Sequence, residues 1–214
     1  MDSAVRSVAG SVPHAGPPPG SVPDTGSGSA VPVTLHGDVR VRLQPLTPAD
    51  RGLYLAGFEH LSPESRLKRF LTPKPSLTER EIRYFTEVDH HDHEAIAASI
   101  GGEGIGVARY IRDAHDAGIA DVAVAVVDGW QRRGMGTALL RRLAERAREE
   151  GVSRFRATMQ WANRPMFATI RRLQAPWRTV STSGGVVEVE IRLLREPVEW
   201  TAPAAARFEA GIAG

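Results

Sequence analysis

Hydrophobic and polar positions alternate along the chain in a way that predicts strands interleaved with helices. Residues 39–43 alternate with a period of two, as a half-buried strand does. Apolar positions at helical spacing follow Pro48, Ser62 and the capping box Thr78-x-x-Glu81. The pattern predicts further strands at 95–100, 105–111, 121–127, 155–159, 177–182 and 186–194, and further helices at 137–150 and 165–173.

This order of elements predicts an α/β fold with one mixed sheet and a single domain. Residues 121–127 are apolar on both faces apart from Asp121, which predicts a central buried strand. Short Gly-rich connections at 101–104 and 184–185 predict two hairpins.

Composition divides the 214 residues into three parts. Residues 1–35 contain six Pro, five Gly and six Ser, and such a segment buries too little apolar surface to offset its ordering entropy. We therefore predict a disordered tail at 1–35, a folded domain at 36–197 and a weakly patterned C-terminal tail at 198–214. The chain has no cysteine and no apolar run long enough to span a membrane, and we expect a cytoplasmic protein.

Positive charge is concentrated in the second half of the chain. Residues 131–178 hold twelve Arg and three Glu, a local net charge of +9. Nucleic acid, an anionic surface or a phosphorylated small molecule could each bind such a stretch. Its four aromatic residues are few for a surface that stacks on successive bases, which argues against nucleic acid.

The segment 126–138 carries the most specific chemistry. A buried strand runs into a Gly-containing turn that opens a helix, and the backbone N–H groups at a helix N-terminus form an anion site. Gly134 and Gly136 let the backbone approach a phosphate without an intervening Cβ, and Arg132 and Arg133 add charge. The P-loop is excluded because residues 126–138 contain no Lys, and the dinucleotide fingerprint because Leu139 occupies its third small position.

The motif Gln131-x-x-Gly134-x-Gly136-Thr137 after a strand resembles the acetyl-CoA pyrophosphate loop of the GNAT superfamily of N-acyltransferases. The elements from Val39 to Leu194 are similar to that fold, which implies a mostly antiparallel mixed sheet flanked by helices. A narrower likeness to bacterial protein lysine acetyltransferases rests on Ser62-x-x-Ser65-x-x-x-Arg69-Phe70, Phe85-Thr86-x-Val88-Asp89-x-x-x-His93, Ala108-Arg109-Tyr110 and Asn163-x-x-Met166.

The resemblance implies acetyl-CoA as co-substrate and no metal. It implies that backbone groups near Val124 and Val126 pair with the pantetheine arm, and that Asn163 reaches the same arm. Asn163 also suits the N-cap of a helix, and the two roles can coexist. The remaining residues that the resemblance assigns to the cofactor are Gln131, Arg132, Arg133, Gly134, Met135, Gly136 and Thr137.

Asp121 is the candidate general base. An amine with an unperturbed pKa of about 10.4 is protonated at neutral pH, so a carboxylate, or water held by one, must accept its proton. The acetyltransferases resembled here carry a Glu ten residues before the motif Gln, where this chain has Asp121. Asp is one methylene shorter than Glu, so a water molecule would bridge its carboxylate and the amine. The alternative interpretation is that Asp121 is a polar residue at the strand edge that faces solvent.

Three functional alternatives follow. The acceptor is either a protein lysine, with an acyl-CoA synthetase as one candidate partner, or a small amine. Asp121 in place of Glu, and Gln174 where the family usually has a Gly with positive φ, instead favour a non-catalytic acyl-CoA sensor.

The run His90–Glu94 suggests a metal site, although a polar loop before a strand explains it better. In that interpretation His93 lines the acceptor cleft and Glu94 lies on the surface.

Overall fold

The computed structural model describes residues 30–193, which form one eight-stranded sheet with helices on both faces. The strand order is β1-β2-β3-β4-β5-β6-β8-β7, and every neighbouring pair is antiparallel except β5 and β6. The strands are β1 Val31–Leu35, β2 Val39–Pro45, β3 His93–Ile100, β4 Glu103–Arg112, β5 Ile119–Val126, β6 Arg154–Gln160, β7 Trp177–Ser183 and β8 Val186–Arg192. The helices are α1 Arg51–Glu59, α2 Pro63–Phe70, α3 Glu79–Thr86, α4 Met135–Glu149 and α5 Arg164–Arg172. The predicted mixed, mostly antiparallel α/β sheet is confirmed.

Two cores hold the helices against the sheet. The larger core packs α4 and α5 against one face, with Leu139, Leu140 and Leu143 of α4 fully buried. The smaller core lies on the opposite face, where Tyr54, Phe58, Phe70 and Phe85 from α1–α3 stack on one another.

The predicted boundary of the N-terminal tail is wrong for five residues. Val31–Leu35 forms the edge strand β1, pairs with β2, and buries Leu35 to 6% exposure. Three alternating apolar residues provide the inward face, and an edge strand tolerates Pro32 because one side of it needs no ladder partner. The rest of the predicted tail, residues 1–29, and the predicted C-terminal segment lie outside the described residues.

The predicted surface position of Glu94 is also wrong, because this residue is only 1% exposed. Its carboxylate binds His90 Nδ1 at 2.8 Å, Arg146 Nε at 3.3 Å and the backbone N–H of Ala95 at 2.8 Å. These partners compensate the loss of hydration that burial imposes on a carboxylate. Glu94 thus ties the loop before β3 to helix α4.

Candidate active site

A cleft opens in the middle of the sheet where β5 and β6 separate. The two strands pair in parallel only from Ile119–Asp121 to Arg154–Arg156, and beyond Asp121 they diverge. The cleft has a volume of about 510 Å³ and is bounded by α2, β5, the N-terminus of α4 and α5. The prediction that residues 121–127 are buried on both faces is therefore wrong after Val122, because Val124 and Val126 line this cleft.

The backbone of β5 presents groups to the cleft that no neighbouring strand pairs, although the Val126 carbonyl accepts a hydrogen bond from Gln131 Nε2. Val127 N–H donates to Ile105 on β4 at 3.0 Å, and ladder bonds alternate along an antiparallel pair. Val124 and Val126 therefore direct their N–H and C=O groups away from β4, toward the side from which β6 has diverged. This side of β5 has the geometry of a sheet edge and can accept an extended ligand as an added strand.

The loop between β5 and α4 supplies an anion site at one end of the cleft. Arg132 has φ 60° and Gly134 has φ 89°, and these left-handed residues turn the chain into α4, which begins at Met135. The first N–H groups of a helix have no partner within the helix and carry the positive end of its dipole. Among the described residues, five cations and no carboxylate line the cleft: Lys68, Arg69, Arg132, Arg164 and Arg172.

Of the residues predicted to hold the cofactor, nine line the cleft and one does not. The lining set is Val124, Val126, Gln131, Arg132, Gly134, Met135, Gly136, Thr137 and Asn163. Arg133 instead places its guanidinium over the Trp130 ring at 5.1 Å, and its backbone carbonyl accepts a hydrogen bond from His36 N–H at 3.2 Å. A contribution of Arg133 to cofactor binding stays a prediction.

Gln131 belongs to a polar network that fixes the loop to helix α2. The Asp128 carboxylate accepts hydrogen bonds from the backbone and hydroxyl of Ser62, at 3.0 and 2.8 Å, and from Ser65 Oγ at 2.9 Å. Gln131 Nε2 donates to Ser65 Oγ and to the Val126 carbonyl, both at 3.0 Å. Burial raises the pKa of the Asp128 carboxylate, but the hydrogen bonds from Ser62 and Ser65 outweigh this effect, so the pKa is lowered overall. The two serines of the Ser62-x-x-Ser65 motif thus act as loop anchors, a role that their spacing alone did not indicate.

Asn163 lies at the N-terminus of α5 on the opposite wall. Its Oδ1 accepts a hydrogen bond from Met166 N–H at 3.3 Å, which confirms the predicted N-cap. Asn163 also lines the cleft, so the cap and a contact with a ligand can coexist.

Asp121 lies at the last paired residue before β5 and β6 diverge, but its carboxylate is engaged. It accepts hydrogen bonds from Arg156 Nε at 2.6 Å and from a terminal nitrogen of Arg156 at 3.1 Å. Arg156 also donates to Asp113 at 2.7 Å, and the hydrogen bond to Asp121 raises the pKa of the guanidinium. Because Ala120 and Val122 pack in the larger core, Asp121 points to the α1–α3 face, and it does not line the cleft.

His93 and its neighbours form no metal site. No group of three metal-ligating side chains occurs within residues 30–193. His93 Nε2 contacts Arg109 at 3.0 Å, and its ring packs against Tyr84 at a centroid distance of 5.1 Å, away from the cleft. The sequence did not indicate that Leu61, Lys68, Arg69, Arg164 and Arg172 also line the cleft. The Ser65-x-x-x-Arg69 spacing marked α2 as part of the site but did not show which face of this helix lines the cleft.

Comparison with known proteins agrees with this geometry. Residues 58–173 match the Acetyltransferase (GNAT) family. The chain is 34% identical over 163 residues to acetyltransferase Pat of Mycolicibacterium smegmatis, covering 75% of this chain and 48% of that protein. The GNAT domain of S. lividans PAT superposes with a TM-score of 0.72 at 34% identity, over 77% of this chain and 97% of that domain.

A cAMP-binding acyltransferase from Mycobacterium smegmatis superposes with a TM-score of 0.54 at 28% identity, over 78% of this chain and 48% of that protein. The present chain thus spans about half the length of the curated relative. No helix among residues 30–193 has the length and hydrophobicity to cross a membrane. By its sequence and its fold, this chain belongs to the GNAT family of acetyltransferases.

Proposed function

We propose that the protein transfers an acetyl group from acetyl-CoA to a primary amine, the side chain of a protein lysine. The observation that carries this proposal is the cleft in which the free edge of β5 leads directly to the α4 N-terminus. An extended pantetheine arm would pair with Val124 and Val126, while the pyrophosphate would meet the first N–H groups of α4. Gly136 fits this arrangement, because a Cβ there would meet only Thr169 at 3.6 Å, so the protein itself does not demand glycine.

The chemistry follows from the positions of these groups. When bound, acetyl-CoA supplies the thioester that the amine attacks. An N–H of β5, at Val124, can donate to the thioester oxygen, where negative charge develops as the amine bonds to the acyl carbon. The proton of the amine must leave, and Asp121, at the point where β5 and β6 separate, is the nearest carboxylate along β5 to accept it through a water molecule.

Similarity supports one class of acceptor over the others. The relatives of highest similarity reported above are named Pat or PAT, which supports a protein lysine, with an acyl-CoA synthetase as one candidate acceptor. A small amine stays the second enzymatic candidate. A non-catalytic acyl-CoA sensor is the third, and the ion pair between Asp121 and Arg156 specifically favours it, because both oxygens of the carboxylate are already engaged by the guanidinium.

Asp121→Asn tests both the base and the sensor alternative. If Asp121 accepts the amine proton, the variant should bind CoA normally but turn over about 10²-fold more slowly at neutral pH, the usual contribution of a general base. The deficit should shrink at high pH, where free amine is abundant without help. The measurement is a pH–rate profile with acetyl-CoA on one acceptor, chosen by mass spectrometry from acyl-CoA synthetases and polyamines.

Asp113→Asn is the matched control, because Asp113 binds the same Arg156 guanidinium at 2.7 Å. Loss of the ion pair alone should affect the two variants similarly, whereas loss of the base should affect only Asp121→Asn. A neutral-pH rate within twofold of the wild type would exclude Asp121 as the base. Absence of any wild-type turnover, with CoA bound, would support the sensor.

A further inference from the structure

Lys68 is a primary amine at the cleft of an acetyltransferase. The chain contains two lysines, Lys68 and Lys74. Lys68 lies on the side of α2 that lines the cleft, together with Ser65 and Arg69, whereas Lys74 does not line it. One of the two lysine amines of the chain is therefore placed beside the region proposed for the acetyl donor.

Helix α2 carries Lys68 over the gap between β5 and β6. The helix packs against both strands, on the face of the sheet that α1–α3 cover. Lys68 lines a pocket there with Val122 and Val124 of β5 and with Thr158 of β6. The Val124 N–H is the group proposed above to donate to the thioester oxygen, so the acyl carbon would lie close to the Lys68 side chain. Asp121, the candidate base, points to the same face of the sheet.

The amine of Lys68 is held at the rim of the cleft by a surface ion pair. Its Nζ binds the carboxylate of Glu64, one turn earlier on α2, at 2.5 Å. The Glu64 side chain is largely exposed and does not line the cleft, and the Lys68 side chain is one-third exposed. Exposed ion pairs one helical turn apart contribute little to stability. The flexible four-carbon stem of Lys68 can therefore turn the amine from Glu64 towards the gap at small cost.

We propose that Lys68 is a self-acetylation site, which receives the acetyl group from the acetyl-CoA bound in the cleft of the same chain. The inference rests on the proposed binding of acetyl-CoA in that cleft. In the step, the Lys68 ammonium loses one proton to solvent, and its nitrogen bonds to the acyl carbon. The carbon–sulfur bond breaks with its electron pair on sulfur, and the leaving CoA thiolate takes up the second proton that the nitrogen releases. The product is a neutral amide that no longer forms an ion pair with Glu64.

Lys74 provides a control within the same molecule. Its Nζ also binds a carboxylate, that of Glu81, and its side chain is 21% exposed, compared with 33% for Lys68. Both amines are thus paired with a Glu and partly exposed, but only Lys68 lines the cleft. Acetylation by free acetyl-CoA in solution should affect the two lysines at similar rates, whereas transfer from a bound donor should favour Lys68.

Peptide mapping by mass spectrometry tests the proposal on the full chain. The protein is incubated with acetyl-CoA at neutral pH, the fraction acetylated is followed from zero time, and the remaining free amines are labelled with deuterated acetic anhydride. Cleavage after Glu64 and Glu79 releases one peptide that carries both lysines. We expect Lys68 to be acetylated at least about tenfold faster than Lys74, because reactants held in place react at a high effective concentration. In the urea-unfolded chain the two rates should be equal.

A matched pair of variants tests whether the donor is the acetyl-CoA of the cleft. Gly136→Asp adds charge at the α4 N-terminus, and the excess rate at Lys68 should disappear. Gly129→Asp adds the same charge at a position with open space and no cleft contact, and the excess should remain. If Gly136→Asp fails to fold, excess free CoA should slow the reaction at Lys68 but not at Lys74. The rate constant at Lys68 should also be the same over an about tenfold range of protein concentration, because the transfer occurs within one chain.

Several outcomes overturn the proposal. One is an equal rate at Lys68 and Lys74 in the folded wild type, and another is a rate at Lys68 that neither Gly136→Asp nor excess free CoA reduces. A rate constant that rises with protein concentration would show that one copy acetylates another. If the wild type acetylates an added amine while Lys68 stays unmodified, Lys68 holds the donor or the acceptor instead of receiving the acetyl group. Failure of the wild type to bind CoA would instead refute the proposed function itself.

Discussion

Gly134 and Gly136 lie two residues apart at the start of α4, yet the backbone requires only one of them to be glycine. Gly134 has φ 89°, and an added Cβ would lie 3.1 Å from the His36 ring, so both conformation and packing demand glycine. Gly136 is helical, and an added Cβ would make only ordinary contact with Thr169. The absence of an internal reason for Gly136 is what suggests a ligand at this position.

Gly136→Asp is therefore expected to fold but to bind CoA poorly. The substitution adds bulk and negative charge where the pyrophosphate would lie, and the loss should be at least ~2 kcal/mol in binding free energy, the scale of a lost charge-assisted contact set. Titration calorimetry with CoA measures it. Gly129→Asp is the control, because it adds the same charge in the preceding turn at a position with open space and no cleft contact.

His93 is a half-buried residue whose protonation the fold opposes. Burial, and then the nearby Arg109 charge, lower the pKa of His93 to about 3. His90, three residues earlier, behaves oppositely, because its hydrogen bond to Glu94 raises the pKa of its imidazole. One short loop thus contains two histidines whose effects on stability have opposite signs.

The free energy of unfolding should accordingly fall as the pH drops below about 6.5. The unfolded state then binds a proton at His93 that the folded state refuses until the pH nears 3, so stability is lost by up to ~1.4 kcal/mol per pH unit. Urea denaturation across this range should show the slope in the wild type and a reduced slope in His93→Gln.

His90→Asn is the control of opposite sign, since Asn tolerates the φ of 61° found at residue 90. The folded pKa of His90 is raised, so its stabilising contribution is complete below its unfolded pKa and is lost as the pH rises through the folded value. The variant should approach the wild type above that pH. An identical acid slope in the wild type and His93→Gln would contradict the assignment to His93.

The sequence indicated correctly several residues that line the cleft. It did not indicate which partners the charged side chains bind. The Gln131 and Gly136 positions follow from local turn and helix chemistry, and the structure places both in the cleft. The burial of Glu94 depends on Arg146, 52 residues further along the chain, and the ion pair of Asp121 depends on Arg156, 35 residues further. Pairings across that separation are set by strand register and helix docking, which periodicity does not encode.

At the scale of elements, the hairpin of β1 and β2 connects the sheet edge to the loop between β5 and α4. His36, in its turn, donates its backbone N–H to the Arg133 carbonyl, and its ring lies against Gly134. Composition did not indicate β1, because its five residues follow a long run of Pro, Gly and Ser and change the average composition of residues 1–35 very little. The alternation of Val31, Val33 and Leu35 was the available signal.

Two truncations separate the tail from the hairpin. A chain starting at residue 30 should keep the melting temperature and CoA affinity of the full chain, as the prediction of a disordered tail requires. A chain starting at residue 36 loses the burial of Leu35 and the pairing of β1, and should lose roughly 2 kcal/mol or more of stability. Thermal melts and CoA titration of the two chains provide the comparison; equal stability would show that β1 is dispensable.

Strand β5 was predicted correctly as a strand, but the prediction that it is buried on both faces was wrong. Its apolar residues are typical of a strand covered on both faces, and it does lie in the centre of the sheet. The divergence of β6 after Asp121 exposes Val124 and Val126 to the cleft. Both side chains pack partly against the larger core and also line the cleft, and sequence alone does not distinguish such a position from a fully buried one.

At the scale of the whole molecule, the sheet consists of two parts that share little backbone pairing. Strands β1–β5 and the group β6, β8 and β7 are joined by three parallel residue pairs, Ile119–Asp121 with Arg154–Arg156. A pantetheine arm on the edge of β5 would fill the gap, and the cations around the cleft would gain an anionic counterpart. Binding should therefore consolidate the entire fold.

Free CoA should raise the melting temperature, and the rise should continue with the logarithm of the CoA concentration above its dissociation constant. At one hundred times its dissociation constant, a ligand that binds only the folded state adds about 2.7 kcal/mol to the free energy of unfolding. Differential scanning fluorimetry over a CoA series measures the shift, and Gly136→Asp should require a higher concentration for the same shift. A melting temperature independent of CoA would contradict binding in this cleft.

The opening between β5 and β6 also bears on how long the protein survives. A protease cleaves chains that have opened, and ligands that close a sheet reduce the population of opened chains. Each molecule that loses its thioester or product would be exposed at this seam until the next one arrives. We therefore expect starvation for acyl-CoA to shorten the half-life of the protein, so that its abundance follows the supply of its own donor.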